Sequence, residues 1–185
     1  MESIVKKNFF VLTGGPGGGK SSLLNALRQQ GFESVEETAR LIIKNRLAAG
    51  LTPRPSPIDF ATEMFESDLA HFRSRIDVSK IIFFDRSFLD SAALIYDADL
   101  RQYERIAHLL DTNRFNPTIF VTPPWEDIYT IDEERDQTFA EAVDTYHKLF
   151  DWYTSMGYTP KILPKTSVEE RAIFILNEID VLHRD

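Results

Sequence analysis

A run of glycines near the start of the chain has the spacing of a phosphate-binding loop. Residues 9–22 read FFVLTGGPGGGKSS, and residues 14–21 satisfy the pattern G-x-x-x-x-G-K-[ST] in full. In such a loop, backbone N–H groups surround the phosphates, so side chains must be absent, and the helix that follows directs its positive dipole end at the same anion. We expect Lys20 to reach the β- and γ-phosphates of a nucleotide and the Ser21 hydroxyl to bind Mg²⁺. With ATP and Mg²⁺ as predicted cofactors, the predicted nucleotide-binding residues are Gly15, Pro16, Gly17, Gly18, Gly19, Lys20, Ser21 and Ser22.

A second group of chemically active residues follows an apolar run, IIFFDRS, at residues 81–87. A carboxylate at the end of a strand beside a phosphate loop can hold Mg²⁺ through water, so Asp85 is a predicted metal ligand together with Ser21. Arg86 places a guanidinium, which suits bidentate contacts with phosphate or carboxylate, on the substrate side. The alternative is that Asp85 caps the following helix and Arg86 forms a surface salt bridge. The glycine loop favours the functional interpretation.

A third group, ESVEETAR at residues 33–40, puts Glu36, Glu37 and Arg40 near the carboxyl end of the predicted second strand. Arg40 stands at the start of a predicted helix and can bind an anionic group of a substrate. The alternative is that the two acids complement the dipole of this helix and that Arg40 pairs with one of them. The residues alone leave both interpretations open.

The elements that must position these groups are short apolar runs that alternate with helical patterns. This alternation predicts βαβ units and a mostly parallel sheet, in which ligands bind outside the carboxyl ends of the strands. A Ser-Pro pair at Ser56 and Pro57 predicts the start of one helix, and a capping box from Ser167 to Glu170 predicts the start of the last one. The predicted strands are residues 9–13, 34–37, 81–85, 118–122 and 160–163.

Several segments resemble known families. Asp85-Arg86-Ser87 resembles the Asp-Arg motif of thymidylate kinases and the Glu-Arg-Ser motif of deoxynucleoside kinases. Across most of its length, the chain resembles the small bacterial AAA-domain "predicted ATPase" family of P-loop NTPases, which is related to the ribosylnicotinamide kinase domain. The segments that carry this resemblance are GGPGGGKSS, EETAR, DRSFLDSAALIY, PPWEDIY, DEERD and VEERAIFIL.

The resemblance implies one P-loop kinase-like domain over residues 1–185. The implied fold is a three-layer α/β/α structure with a five-stranded parallel sheet in the order 2-3-1-4-5. A helical lid is implied at approximately residues 124–138, within PPWEDIYTIDEERDQ. Arg135 is the implied lid arginine, although typical lids of this kind carry several arginines and acids surround this one. The alternative for this segment is a solvated acidic turn.

The resemblance also assigns roles to the residues. An acidic residue after the second strand accepts the proton of the attacking hydroxyl in nucleoside kinases, which makes Glu37 the candidate general base and leaves Glu36 and Asp85 as rivals. Sequence cannot decide among them, because a base must lie within hydrogen-bond reach of the hydroxyl. The predicted catalytic residues are Lys20, Asp85, Glu37, Arg86 and Arg135. The predicted substrate-binding residues are Glu36, Arg40 and Arg86.

Composition narrows the function classes. The 185 residues carry a net charge of −8 and no cysteine. The acidic charge argues against general nucleic-acid binding, and the absence of thiols fits a reducing compartment. No apolar run is long enough to span a membrane, and MESIVKKNFF lacks signal-peptide features, so a cytoplasmic protein is expected. A homodimer is left open.

Three functions remain. The favoured one is an ATP- and Mg²⁺-dependent kinase that acts on a small nucleoside-, nucleotide- or metabolite-like acceptor. The second is an ATPase or nucleotide-dependent switch that acts on a protein partner. The third is a module that binds nucleotide without turnover. An acceptor that raises ADP production would single out the first.

Overall fold

The computed structural model describes residues 3–129 and 138–182 of the chain. Within these ranges the chain forms seven β-strands and seven α-helices. The strands are β1 (Ile4–Val5), β2 (Phe9–Gly14), β3 (Glu33–Val35), β4 (Ile82–Asp85), β5 (Asn113–Arg114), β6 (Thr118–Thr122) and β7 (Thr159–Ile162). The helices are α1 (Lys20–Gln29), α2 (Thr38–Ala48), α3 (Pro57–Arg73), α4 (Phe88–Ala98), α5 (Leu100–Thr112), α6 (Phe139–Ser155) and α7 (Val168–Leu182).

The main sheet has five strands, all parallel, in the order β3-β4-β2-β6-β7. When only these five strands are counted along the chain, their order is the predicted 2-3-1-4-5. The central strand β2 places Leu12 opposite Asp85 of β4 and Gly14 opposite Thr122 of β6. The carboxyl ends of three strands therefore meet at one edge of the sheet, as the α/β prediction required.

Alternation along β2 explains the three layers, because successive side chains of a strand point to opposite faces. Phe9 and Val11 belong to one buried cluster and Phe10 and Leu12 to the other. The first cluster is completed by α3, α4, α5 and α6, and the second by α1 and α7. The predicted three-layer α/β/α class is confirmed.

Two details differ from the sequence-based prediction. The second strand of the sheet ends at Val35, so Glu37 is the N-cap residue of α2 and not the last residue of a strand. The charged pair Glu36-Glu37 gives no apolar residue to bury, which shortens the strand. In addition, β1 and β5 form a separate parallel pair that the sequence did not suggest, because each has only two residues.

The capping predictions hold at both helices. The Ser56 side chain accepts a hydrogen bond from the backbone N–H of Asp59, with Pro57 at the first position of α3. Ser167 and Glu170 exchange the two hydrogen bonds of a capping box before α7. No helix in the described ranges is long and apolar enough to cross a membrane.

The predicted lid lies largely outside the described residues, which omit 130–137. A 3₁₀ turn at Glu126–Ile128 precedes that segment. After it, Thr138 caps α6 through a capping box with Glu141.

Candidate active site

The glycine loop connects β2 to α1 and presents the uncapped start of a helix. Gly19, the N-cap residue of α1, has a φ of 76°, and no side chain caps this helix or places an acid in its first turn. The Lys20 Nζ donates to the carbonyl oxygens of Gly15 at 2.9 Å and Gly14 at 3.4 Å. Because the first N–H groups of a helix lack partners within it, this end of α1 can receive an anion. Ser21 and Ser22 stand exposed on the same turn.

The glycines of this loop are also required by the protein itself. A Cβ on Gly15 would overlap the carbonyl of Ala142 in α6, and one on Gly18 would lie 2.5 Å from the Thr122 Oγ1 at the end of β6. The sequence explained the absent side chains by a ligand alone. The structure adds a second reason, which is that α6 and β6 pack directly against the loop.

Asp85 ends β4 beside the loop with a carboxylate oxygen that lacks a partner. The residue is 8% exposed, and its Oδ1 has no hydrogen-bond partner among the residues that the structure describes. Burial raises the pKa of this carboxyl, while the nearby Lys20 opposes the rise. A buried oxygen without a donor suits a hard cation, and Mg²⁺ takes only one or two carboxylates when phosphates supply other ligands. The described ranges contain no group of three His, Cys, Asp or Glu residues arranged for a metal, so the fit is to a metal held with phosphates.

Arg86, directly after Asp85, has an unusual backbone conformation. Its φ is 66°, the one positive φ of a non-glycine residue among the residues that the structure describes. Its Nε donates to Glu37 Oε1 at 2.9 Å, and its Nη1 lies 3.4 Å from Asp90 Oδ1. The left-handed conformation costs about 1 kcal/mol, and such residues persist where surrounding contacts hold them. Arg86 therefore forms a mostly buried ion-pair group and not a surface salt bridge.

Glu37 is held by two arginines at the start of α2. Besides Arg86, the Nε of Arg40 lies 3.4 Å from Glu37 Oε2. Burial by itself would raise the pKa of the Glu37 carboxyl, but Arg86, Lys20 and Arg40 together bring it below its usual value. Glu37 is thus ionised at neutral pH. The predicted pairing of Arg40 with an acid on this turn is present.

Glu36 is not brought into this group. Its side chain is 81% exposed and pairs with Arg28 of α1 at 3.5 Å. Between the adjacent acids, the structure places Glu37 beside Arg86 and leaves Glu36 at the surface. Arg135, the predicted lid arginine, lies outside the described residues.

Asp90 on α4 is the first residue that the sequence interpretation missed. Its carboxylate accepts hydrogen bonds from the Thr13 hydroxyl, the Ser87 backbone N–H and the Tyr153 hydroxyl, and it pairs with Arg86. These contacts tie the end of β2, the start of α4 and helix α6 together behind Arg86. The spacing Ser87-x-x-Asp90 is that of a capping box, a signal that could have identified the residue.

Asp68 on α3 is the second missed residue. It accepts hydrogen bonds from the Thr38 hydroxyl and, at 3.2 Å, from the Ser91 hydroxyl. Burial raises the pKa of Asp68 to about 7, and the carboxylates of Asp90 and Glu37 contribute to the rise. No local pattern marks this residue, because it is one of several acids on a long helix.

Arg171 on α7 is the third. It is 3% exposed, and its Nη1 donates to the carbonyl oxygen of Gly18 at 3.0 Å. The guanidinium lies 5.7 Å from the ring centre of Trp125, and its Nε has no hydrogen-bond partner in the described part of the chain. Burial lowers the pKa of this group. Trp125, just after β6, thus lies close to the outer side of the glycine loop with Arg171 against its ring.

The fold and the loop together define a P-loop NTPase domain with a kinase-like sheet. The chain belongs to the AAA domain family, whose model matches residues 9–171. No curated protein matches the sequence.

Solved structures with the same fold include two kinds of protein. The structure of deoxyadenosine kinase from M. mycoides with products dCMP and a flexible dCDP bound has a TM-score of 0.69 and 13% identity, and the match covers 94% of this chain and 99% of that one. The structure of NadR protein in complex with NR has a TM-score of 0.66 and 19% identity, and the match covers 98% of this chain. The present chain spans 50% of that NadR chain. At these identities the likeness establishes the fold.

Proposed function

We propose that this chain is an ATP- and Mg²⁺-dependent phosphotransferase with a small nucleoside-, nucleotide- or metabolite-like acceptor. The observation that carries the proposal is the contact of the Arg86 Nε with the Glu37 carboxylate at 2.9 Å, beside Asp85 and next to the P-loop. A nucleotide-binding module does not need a strained, mostly buried arginine between two carboxylates at that place. The nucleoside kinases that share the fold support the same function. We further propose that residues 1–185 form one domain and that the protein is cytoplasmic.

On the donor side, the start of α1 and Lys20 bind and neutralise the phosphates. Lys20 exchanges its two carbonyl contacts for contacts with the β- and γ-phosphates. Its attraction to these anions is strong because the site is buried and the effective dielectric constant is low. Ser21 and Asp85 would hold Mg²⁺, which would supply positive charge next to the transferred phosphoryl group. The carbonyl oxygens of Gly14 and Gly15 keep the amine in position before the nucleotide binds.

On the acceptor side, Glu37 orients the attacking hydroxyl. An ionised carboxylate accepts the hydrogen bond of that hydroxyl, and in a loose transition state its main contribution is position, with proton transfer following late. Arg86 stabilises charge between the two substrates. Arg40 and Arg135 complete the set that we assign to substrate binding and catalysis.

The alternative is an ATPase or nucleotide-dependent switch with a protein partner. It is favoured by one finding, that the matching family is described only as an AAA domain. This alternative predicts slow ATP hydrolysis that no added metabolite changes, whereas the proposed kinase needs an acceptor.

A screen of ADP release tests the proposal. We expect one acceptor among nucleosides, nucleotides and nicotinamide riboside to raise ADP production well above the background of the Lys20→Met variant. The phosphorylated acceptor, identified by mass spectrometry, must appear in the same amount as ADP. ADP release that no member of the panel stimulates would contradict the kinase proposal and leave the ATPase alternative.

Nucleotide binding should depend on pH through Lys20. Burial, aided by the charge of Arg86, lowers the pKa of Lys20 to about 8, and bound phosphates must raise it again. The charged amine is therefore lost from the free protein as pH rises through 8, and ATP binding then has to take up a proton. We expect the Kd of ATP to rise about tenfold between pH 7 and pH 9.

Titration calorimetry in buffers of different ionisation enthalpy measures both the Kd and the proton uptake at pH 8. The Lys20→Met variant is the control and should show a flat profile over this range. A wild-type Kd that does not change between pH 7 and pH 9 would show that Lys20 is already charged throughout.

A further inference from the structure

The arginines on the acceptor side are already neutralised by carboxylates. Arg86 contacts Glu37 at 2.9 Å and Asp90 at 3.4 Å, and Arg40 contacts the second oxygen of Glu37 at 3.4 Å. Breaking a buried ion pair by removing one partner is strongly unfavourable, because it leaves an uncompensated charge. A second phosphate in this place would have to draw an arginine away from a buried carboxylate.

Asp68 adds a carboxylate whose hydrogen bonds, within the described residues, all come from hydroxyl groups. Its two oxygens accept from Thr38 and Ser91, which directly follow Glu37 and Asp90 in the chain. Asp68 therefore lies next to the Glu37–Arg86–Asp90 group, across from it on α3. No ion pair to Asp68 is present within residues 3–129 and 138–182.

Carboxylates cluster around the arginines of the acceptor side. Four carboxylates meet there, those of Glu37, Asp68, Asp85 and Asp90, and the charges of Glu37 and Asp90 contribute to the raised pKa of both Asp68 and Asp85. One of them, Asp85, is buried with an oxygen that has no partner. Among the described residues, Arg86 and Arg40 are the cations that pair with Glu37 and Asp90, while the Lys20 amine is held by the carbonyl oxygen of Gly15 in the P-loop.

We propose that the acceptor carries no phosphate: it is a nucleoside-like polyol, neutral or cationic, and Asp68 accepts a hydrogen bond from one of its hydroxyls. This inference rests on the proposed phosphotransferase function and narrows its acceptor. Carboxylates that already contact arginines or hydroxyl groups can still accept hydrogen bonds from a polyol. The hydroxyls of the polyol supply donors without adding negative charge. A nucleoside monophosphate would bring a dianion to a place where the arginines already pair with carboxylates.

Matched pairs of acceptors test the substrate class. Each nucleoside is compared with its own 5′-monophosphate, for example adenosine with AMP and nicotinamide riboside with its mononucleotide. We expect kcat/KM to be at least about 100-fold higher for the phosphate-free member of the productive pair. Equal or faster phosphorylation of the monophosphate would overturn the inference while it upheld the kinase.

Binding measurements separate the two proposals if no pair turns over. Calorimetry is run with a non-hydrolysable ATP analogue already bound. A nucleoside that binds without being phosphorylated would overturn the proposed function and support the inference about the acceptor. Preferred binding of the monophosphate, or binding of neither member of any pair, would overturn the inference.

Asp68→Asn tests the assigned residue. At pH 8, above the pKa of Asp68, we expect KM for the acceptor to rise at least about tenfold, since a neutral amide accepts a weaker hydrogen bond than a carboxylate, with KM for ATP unchanged. The matched control is Glu66→Gln, an exposed acid of the same helix, which should change neither constant. An unchanged acceptor KM in Asp68→Asn would overturn the role of Asp68.

Thermal stability excludes misfolding as the cause. The pKa of Asp68 is raised to about 7 in the folded protein by burial and by Asp90 and Glu37, so ionising it disfavours the fold increasingly from about pH 4 to pH 7. Asp68→Asn should therefore raise Tm at pH 8 by at least about 2 °C and leave Tm near pH 4 unchanged. A variant that binds the acceptor less well and yet is more stable at pH 8 has lost a functional group, whereas a Tm that falls at pH 8 would mark Asp68 as structural.

Discussion

Replacing Lys20 with methionine is expected to lower acceptor-stimulated ADP production by about 10³-fold, the effect of removing one preorganised donor from a transition state. Lys20 is 8% exposed and its Nζ is held by two carbonyl oxygens of the loop, so its charge is in place before the nucleotide arrives. Methionine has nearly the same length and removes only the charge and the donors. The measurement is the initial rate of ADP release with the best acceptor at saturating ATP.

The control for this prediction is Lys80→Met, an exposed lysine just before β4 at the opposite end of the sheet. It should retain the wild-type rate. The free energy of unfolding of Lys20→Met should equal or exceed that of the wild type, since a buried charge is removed. A folded Lys20→Met protein with more than a tenth of the wild-type rate would show that Lys20 does not stabilise the negative charge of the transferred phosphoryl group.

Replacing Asp90 with alanine is expected to lower the free energy of unfolding by about 3–5 kcal/mol, as for other broken buried ion pairs. The substitution leaves the hydroxyls of Thr13 and Tyr153 and the Ser87 N–H without their acceptor, in a region that is buried. It also frees Arg86 from one of the two carboxylates that hold its left-handed backbone. Urea denaturation followed by tryptophan fluorescence measures the change.

Two variants on neighbouring positions calibrate this result. Asp97→Ala removes an exposed acid of the same helix, which forms a surface ion pair with Lys148 at 3.4 Å. This substitution should lower the free energy of unfolding by less than about 0.5 kcal/mol. Tyr153→Phe removes one donor to Asp90 and leaves the ring packed, so about 1 kcal/mol is expected. If Asp90→Ala were no worse than Asp97→Ala, the hydrogen bonds around Asp90 would not stabilise the fold.

Much of the fold could be predicted because its signals are local. The short apolar runs of the strands, the Ser56-Pro57 start of α3 and the Ser167–Glu170 capping box each lie within a few neighbouring residues. The sequence analysis placed the end of the second strand at residue 37, whereas β3 ends at Val35. The end of a strand depends on its pairing with the neighbouring strand, and the adjacent acids Glu36 and Glu37 give no local signal for it. The P-loop was found from its spacing, although the reason for its glycines was only half identified.

The acceptor side could be predicted only in part, since its residues come from separate elements. Glu37 and Arg86 were named, but Asp68 and Asp90 were not, because no spacing along the chain relates α3, α2 and α4. Which of two adjacent acids joins Arg86 depends on where α2 begins. Those choices follow from side-chain directions that only the packed helices define.

The sequence by itself determined the class of the protein: the phosphate loop, the order of strands and helices, and the charged residues after strands β3 and β4. Each of these depends on hydrogen bonds and periodicities within short segments, which the residue types set directly. The tertiary structure alone decided that Arg171 contacts Gly18 from 153 residues away. It also decided that Asp68 joins Glu37 and Asp90, because contacts between distant segments arise from the packing of helices against the sheet and leave no pattern along the chain.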